Sequence, residues 1–276
     1  MFLSAFTSAD SIAQRVDALP TKYRLAETSS FDSHSTLNHR ALNERAFDLA
    51  ETIFNNARVV QYVHDHGGAA VQVRELSDGG LESKNDCSGF ISYVLDKVAP
   101  KHYDPIRRRQ LERTHPQAKV FAHFFAELST NEPRDGWVSV ANYRELRRGD
   151  IIAWEKGPST TDHAGKGNSG HVMMVCEAPL SAEPMTVASR VYRIVNVPVI
   201  DSSSVYHFPP EELPPSAGQS HRDGLGKGVI RLVVNEEDRA IGYWEGSYWG
   251  EGQKNITRPK LTDIIGFGRI VPLRAR

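Results

Sequence analysis

The chain has 276 residues, enough for one elaborated domain or two small ones and for a proper hydrophobic core. Its 33 Lys and Arg nearly balance its 34 Asp and Glu, for a formal net charge of -1, so no global field draws it to nucleic acid or to an anionic membrane. No apolar run approaches the roughly 20 residues of a membrane span, and two cysteines, Cys87 and Cys176, are too few for a disulfide framework and form no CxxC pair for zinc.

The first 40 residues are rich in Ser, Thr and Asp and read as an irregular or partly helical arm, followed by a single domain over 41–276. The opening MFLSAFTSADSIAQR has neither a basic n-region nor a long enough apolar stretch for a secretory signal. The protein is therefore cytoplasmic or, if a leader has been removed, secreted or in the cell envelope. From Asn38 to about His64, Leu42, Ala46, Leu49, Ile53 and Ala57 recur at helical spacing, and His66-Gly67-Gly68 marks the end of that helix or a following turn. Residues 77–86, SDGGLESKND, read as a polar loop. CSGFISYVLDKV is an apolar helix stopped at Pro100. Residues 101–135 are charged and helical, with Leu111, Ala118, Phe121, Phe124, Phe125 and Leu128 available for packing.

Leu146-Arg147-Arg148-Gly149-Asp150 is a turn feeding a strand, Ile151-Ile152-Ala153-Trp154. Residues 157–170 are loop by composition, and a strand runs from His171 to Cys176. Val191 to Ile200 is another, with Pro198 limiting its place in a ladder. The chain is loop-rich from Asp201 to about Gly228, and Val229 to Val234 and Ile264 to Val271 are the last strands. Helices first and strands after read as an α+β domain with an antiparallel sheet.

Asn85-Asp86-Cys87-Ser88-Gly89-Phe90 places a cysteine where a polar segment enters an apolar helix. A helix N-terminus offers unpaired N–H groups and partial positive charge, which favour thiolate over thiol. The same N–H groups can donate to an oxyanion on a carbonyl under attack. A thiolate nucleophile also needs a base, and the base an orienting group. Taken alone, the segment fits a small buried hydrophobe equally well.

Asp86-Cys87-Ser88-Gly89-Phe90, then Leu146 to Trp154, then Gly170-His171-Val172 resembles, in order and spacing, the NlpC/P60 family of bacterial cysteine hydrolases. The resemblance covers roughly residues 45–205. It implies a papain-like core: N-terminal helices, one bearing the cysteine, packed on an antiparallel β-sheet. Here that core would carry a helical insertion at 97–145 and a C-terminal strand extension at 205–276. It further implies Cys87 as nucleophile and His171 as base. Asp201, in Val199-Ile200-Asp201-Ser202-Ser203, is the best match to the third member; an ionised Asp would fix the imidazole tautomer. Asn196 is the runner-up on the same strand, on the opposite face if the strand stays regular. Tyr62, in a stretch similar to the family's Tyr-Val-Trp-Gly-Gly, and Ser88 are candidates for the oxyanion and substrate site. The implied reaction is amide hydrolysis through a thioacyl intermediate, requiring no metal or organic cofactor. The implied substrate is a small cell-wall peptide or muropeptide near a γ-D-glutamyl linkage. An amidase or acyltransferase on the same scaffold, or an inactive glycan-binding module, are the alternatives.

Other features have plainer readings. His64, Asp65 and His66 resemble metal ligands, but i and i+2 do not share a helix face. Gly224-Leu225-Gly226-Lys227-Gly228 lacks P-loop spacing and reads as a hairpin-type turn. Trp244, Tyr248 and Trp249 could stack on sugars or cover a sheet edge. Cys176, in an apolar strand, reads as inert core. The glycine-rich loop 157–170, next to His171, is expected to form a flap over a groove walled by the insertion and the extension.

Overall fold

The computed structural model describes residues 37–64, 72–156, 169–179, 181–187, 189–204, 223–244, 259–262 and 264–273. The N-terminal arm before residue 37, Asp65-His66-Gly67-Gly68, Tyr248 and Trp249, and residues 157–168 of the expected flap lie outside the described residues. The architecture is α+β, with few helices and a large antiparallel sheet.

Helix α1 (Leu37–Asn56) buries Ala46, Leu49, Ala50 and Ile53 along one face, the stripe that three- and four-residue spacing produces. The helix expected to reach His64 stops at Asn56, and strand β1 (Ala57–Tyr62) follows directly. Val59 and Val60 favour the extended chain through their β-branched side chains, and the apolar period alone does not register that switch. Strand β2 (Gln72–Glu75) pairs antiparallel with β3 (Leu81–Asn85), and β1 pairs parallel with β3. The expected polar loop over 77–86 holds as a turn at 77–80, but its second half, Leu81–Asn85, is strand β3. Its buried Glu82 is held in partnership, paired with Arg74 and, at 2.8 Å, with Lys84 Nζ. Pairing offsets the cost of burying such groups, so the strand forms without the apolar alternation that would reveal it.

Helix α2 (Cys87–Val98) is followed by α3 (Pro100–Arg107) and α4 (Ala118–Ala126). Pro100 occupies the first turn of α3, where its missing N–H costs nothing. The remaining strands are β4 (Trp137–Ser139), β5 (Ile151–Glu155), β6 (Gly170–Val175), β7 (Glu183–Val187), β8 (Arg190–Ser203), β9 (Gly224–Val234), β10 (Ala240–Trp244), β11 (Pro259–Leu261) and β12 (Ile265–Ile270). They form one sheet in the order β11-β10-β9-β8-β6-β5-β12-β4, with β7 paired to β8. Strands β1 to β3 precede α2, so the expected order of helices first and strands after is corrected. The turn expected at Gly224–Gly228 is also corrected: these residues pair with Ser203 to Val199 of β8.

Both faces of the sheet are covered. Val172 and Met174 face a core shared with Phe90, Ile91, Leu95, Phe121 and Phe125 of the helices. Ile152, Trp154, Met173 and Val175 face a second core with Val197, Leu232 and Tyr243. Burial on two sides explains why β5 and β6 read as unbroken apolar runs. Pro198 lies where β6 ends: β6 pairs with β8 only through Met174–Ile200 and Val175–Val199. The Leu146–Asp150 turn fastens the first helix to the sheet. Buried Asp150 accepts from Arg147 N at 2.8 Å, Asn43 Nδ2 at 3.0 Å and Arg269 Nη2 at 2.7 Å. Among the described residues, no helix is long and apolar enough to cross a membrane.

Candidate active site

Cys87 is the first residue of α2, and Asp86 is its N-cap. The Asp86 side chain accepts from Gly89 N at 2.6 Å and from Ser88 Oγ at 3.0 Å. Such a cap satisfies one of the free N–H groups of the first turn and leaves those of Cys87 and Ser88 without an intrahelical acceptor. The Ser88 hydroxyl is committed to Asp86, so any contact of Ser88 with an oxyanion falls to its backbone N–H. Cys87 is 5% exposed, and both cysteines are free.

His171 is the second residue of β6 and pairs across the ladder with Trp154. Its ring lies 5.4 Å from that of Trp154, which stacks at 4.5 Å on Tyr243. Gly170, just before it, has φ +141, and a Cβ there would stand 1.9 Å from the Trp154 carbonyl oxygen. Only glycine fits that approach. The Nε2 of His171 contacts Asp201 Oδ2. Asp201 lies on β8 and is fully buried, whereas Asn196 is exposed on the same strand.

Cys87 lies within hydrogen-bonding reach of the His171 ring. With Nε2 occupied by Asp201, proton exchange with the thiol falls to Nδ1. Burial alone would lower the His171 pKa, but the negative charges of Cys87 and Asp201, and their hydrogen bonds, push it up to about 10. The arrangement therefore favours the protonated imidazole. Burial pushes the Cys176 thiol up to about 12, which suppresses its nucleophilic form.

Tyr62 closes β1 beside this group. Burial first, then the charges of Cys87, Asp86 and Asp201, raise its pKa well above the usual range, so the phenol keeps its proton and can donate. Its hydroxyl is 3.5 Å from His64 Nε2. Tyr62 is a strand-end residue and not a helix-end aromatic.

Two histidines flank Asp86 in a role that no motif announces. His115 Nε2 lies 3.1 Å from Asp86 Oδ1, and His64 Nδ1 lies 3.6 Å from Oδ2. His115 is isolated in the charged stretch between α3 and α4, where no spacing signals a partner. His64 stands out in the sequence only as a metal-ligand type; among the described residues, no group of three or more His, Cys, Asp or Glu is placed to hold a metal ion.

No family model matches the chain, and no solved structure matches it. Among curated proteins, it is similar to the uncharacterized protein R653 of Acanthamoeba polyphaga mimivirus, 25% identical over 199 residues, or 68% of this chain and 78% of that protein.

Proposed function

We propose that this protein is a cysteine hydrolase with a papain-like core of the NlpC/P60 type, cleaving an amide through a thioacyl intermediate. The observation that carries the reading is the contact chain from Cys87 through His171 to Asp201, assembled from a helix N-terminus and two neighbouring strands. The family reading rests on the motifs and this geometry, since no family model matches.

In the proposed reaction, Cys87 Sγ attacks the amide carbonyl and forms a C–S bond. The N–H groups of Cys87 and Ser88, with the Tyr62 hydroxyl, stabilise the oxyanion. His171 gives its proton to the departing amine as the C–N bond breaks. It then takes a proton from water, whose oxygen attacks the thioester, releasing the acid and regenerating the thiolate. Asp201 holds the imidazole in place and offsets its charge. The proposed substrates are small cell-wall peptides near a γ-D-glutamyl linkage. Labelling by a thiol-directed active-site probe, followed by turnover of a muropeptide panel, tests the reading. Probe attachment at Cys87 and release of a new amine support it; an unlabelled Cys87, or hydrolysis unchanged in Cys87→Ala, would sink it.

A further inference from the structure

We infer that His115, carried by the segment between α3 and α4, is a positioning residue that acts on Cys87 through the capping carboxylate of Asp86. This rests on the reading of Cys87 as nucleophile.

His115 is 5% exposed, and Asp86 is 7% exposed. The His115 Nε2 lies 3.1 Å from Asp86 Oδ1, while its Nδ1 lies 3.2 Å from Thr114 Oγ1. An ionised carboxylate only accepts, so Nε2 is the donor. Three donors thus meet at one oxygen: His115 Nε2, Gly89 N and Ser88 Oγ. The other oxygen has His64 Nδ1 at 3.6 Å, too far for a direct hydrogen bond. Burial would raise the Asp86 pKa, but the interactions with His115 and His64, with the hydrogen bond from Gly89, hold it well below the usual carboxylate range.

Asp86 precedes Cys87 in the chain, and its charge opposes a neighbouring thiolate. The groups around Cys87 are His171 from β6, Asp201 from β8, Tyr62 from β1 and Asp86 from its own cap, with His115 and His64 facing Asp86 and His64 also against Tyr62. Donation from His115 draws the carboxylate charge toward Oδ1 and fixes the cap that orients the first turn of α2. A residue 29 positions beyond Asp86 therefore helps set the reactivity of the thiol next to it.

The test uses the full chain and the rate of Cys87 alkylation by iodoacetamide as a function of pH, with the modified site read by mass spectrometry. In His115→Leu the pH of half-maximal rate should rise by about half a unit to one unit, a loss of roughly three- to tenfold below it. His115→Gln, which retains an N–H donor, should stay near the parent. Asp86→Asn should lower the midpoint, and adding His115→Leu to it should move the midpoint little, since the coupled partner is gone. A role in packing alone would lower the melting temperature of His115→Leu and leave its midpoint at the parent value; that result overturns the inference. If His115→Leu does not fold, Asp86→Asn decides, and an unmoved midpoint there overturns it. A parent Cys87 that does not react overturns the nucleophile reading and this inference together, whereas a reactive Cys87 with unmoved midpoints overturns only the latter.

Discussion

The hydroxyl of Ser202 donates to the backbone carbonyl of Asn85 at 2.7 Å. That oxygen also accepts from Val63 N at 3.2 Å. One carbonyl thus ties together the segments that carry Asp201, Tyr62 and Cys87. Ser202→Ala should cost about 1 kcal/mol of stability, the usual net worth of such a bond. Turnover should fall roughly tenfold as the segment carrying Asp201 loses its tie to the other two. Denaturant unfolding and steady-state kinetics measure the two effects; lost stability with unchanged turnover would confine Ser202 to a structural role.

Cys87 should be the thiol that reacts. It sits at a helix N-terminus within reach of His171, whereas burial pushes Cys176 up to about 12. Substoichiometric alkylation at neutral pH, followed by peptide mapping, should find label on Cys87 first, with loss of activity in proportion. Preferential label on Cys176 would contradict the assignment.

Asp201 is fully buried, and its carboxylate contacts His171. Asp201→Asn keeps the shape and removes the charge. The catalytic constant should fall on the order of a hundredfold, while the fold survives. Circular dichroism and kinetics together check this. Activity at the parent level would exclude Asp201 as the orienting group.

What is legible in the sequence depends on what each residue needs from its neighbours. The cysteine helix and strands β5 and β6 are readable because apolar periods and the Gly-Asp turn are local signals. Strand β3 is not, because Glu82 and Lys84 look like loop residues until Arg74 is brought beside them. Strand alternation separates Asp201 from Asn196, and the structure puts the two on a buried and an exposed position. His115 carries no such signal, because its partner Asp86 is 29 positions away and meets it only through the packing of the insertion.

The His171 imidazolium should lose its proton only near pH 10, and that depends on Cys87. A folded-state pKa above the unfolded value, near 6.5, contributes stability fully present below about 6.5. The contribution is lost as pH rises toward about 10. Cys87→Ala removes the foremost charge that raises it, so the His171 pKa should drop, and the stability contribution should be smaller and be exhausted at lower pH. Nitrogen NMR of the imidazole in the parent and in Cys87→Ala reads the shift; equal values in both would show that the thiolate does not stabilise the imidazolium.

Gly170 and Gly149 allow the placement of His171 to be separated from general damage to β6. Gly170 has φ +141, and a Cβ there would stand 1.9 Å from Trp154 O; Gly149 has φ +84, and a Cβ there would stand 2.3 Å from Asn43 O. Both substitutions to Ala force strain into the backbone, and each should cost about 1–3 kcal/mol. They act at opposite ends of the strand. Gly170 is paired with Glu155 and adjoins His171, whereas Gly149 N donates to Val175 O at 2.9 Å, at the far end. In Gly170→Ala the pairing of the first residue of β6 must open, and the His171 ring shifts against Trp154 and away from Asp201. Turnover per folded molecule should therefore fall by roughly a hundredfold, since a displacement of about 1 Å has that effect. In Gly149→Ala it should stay near the parent, although the protein melts at lower temperature. The comparison is made on samples matched for folded fraction by circular dichroism and titrated for reactive thiol. If both variants lose the same stability and the same turnover, the requirement for glycine before His171 concerns strand integrity and not the placement of the base.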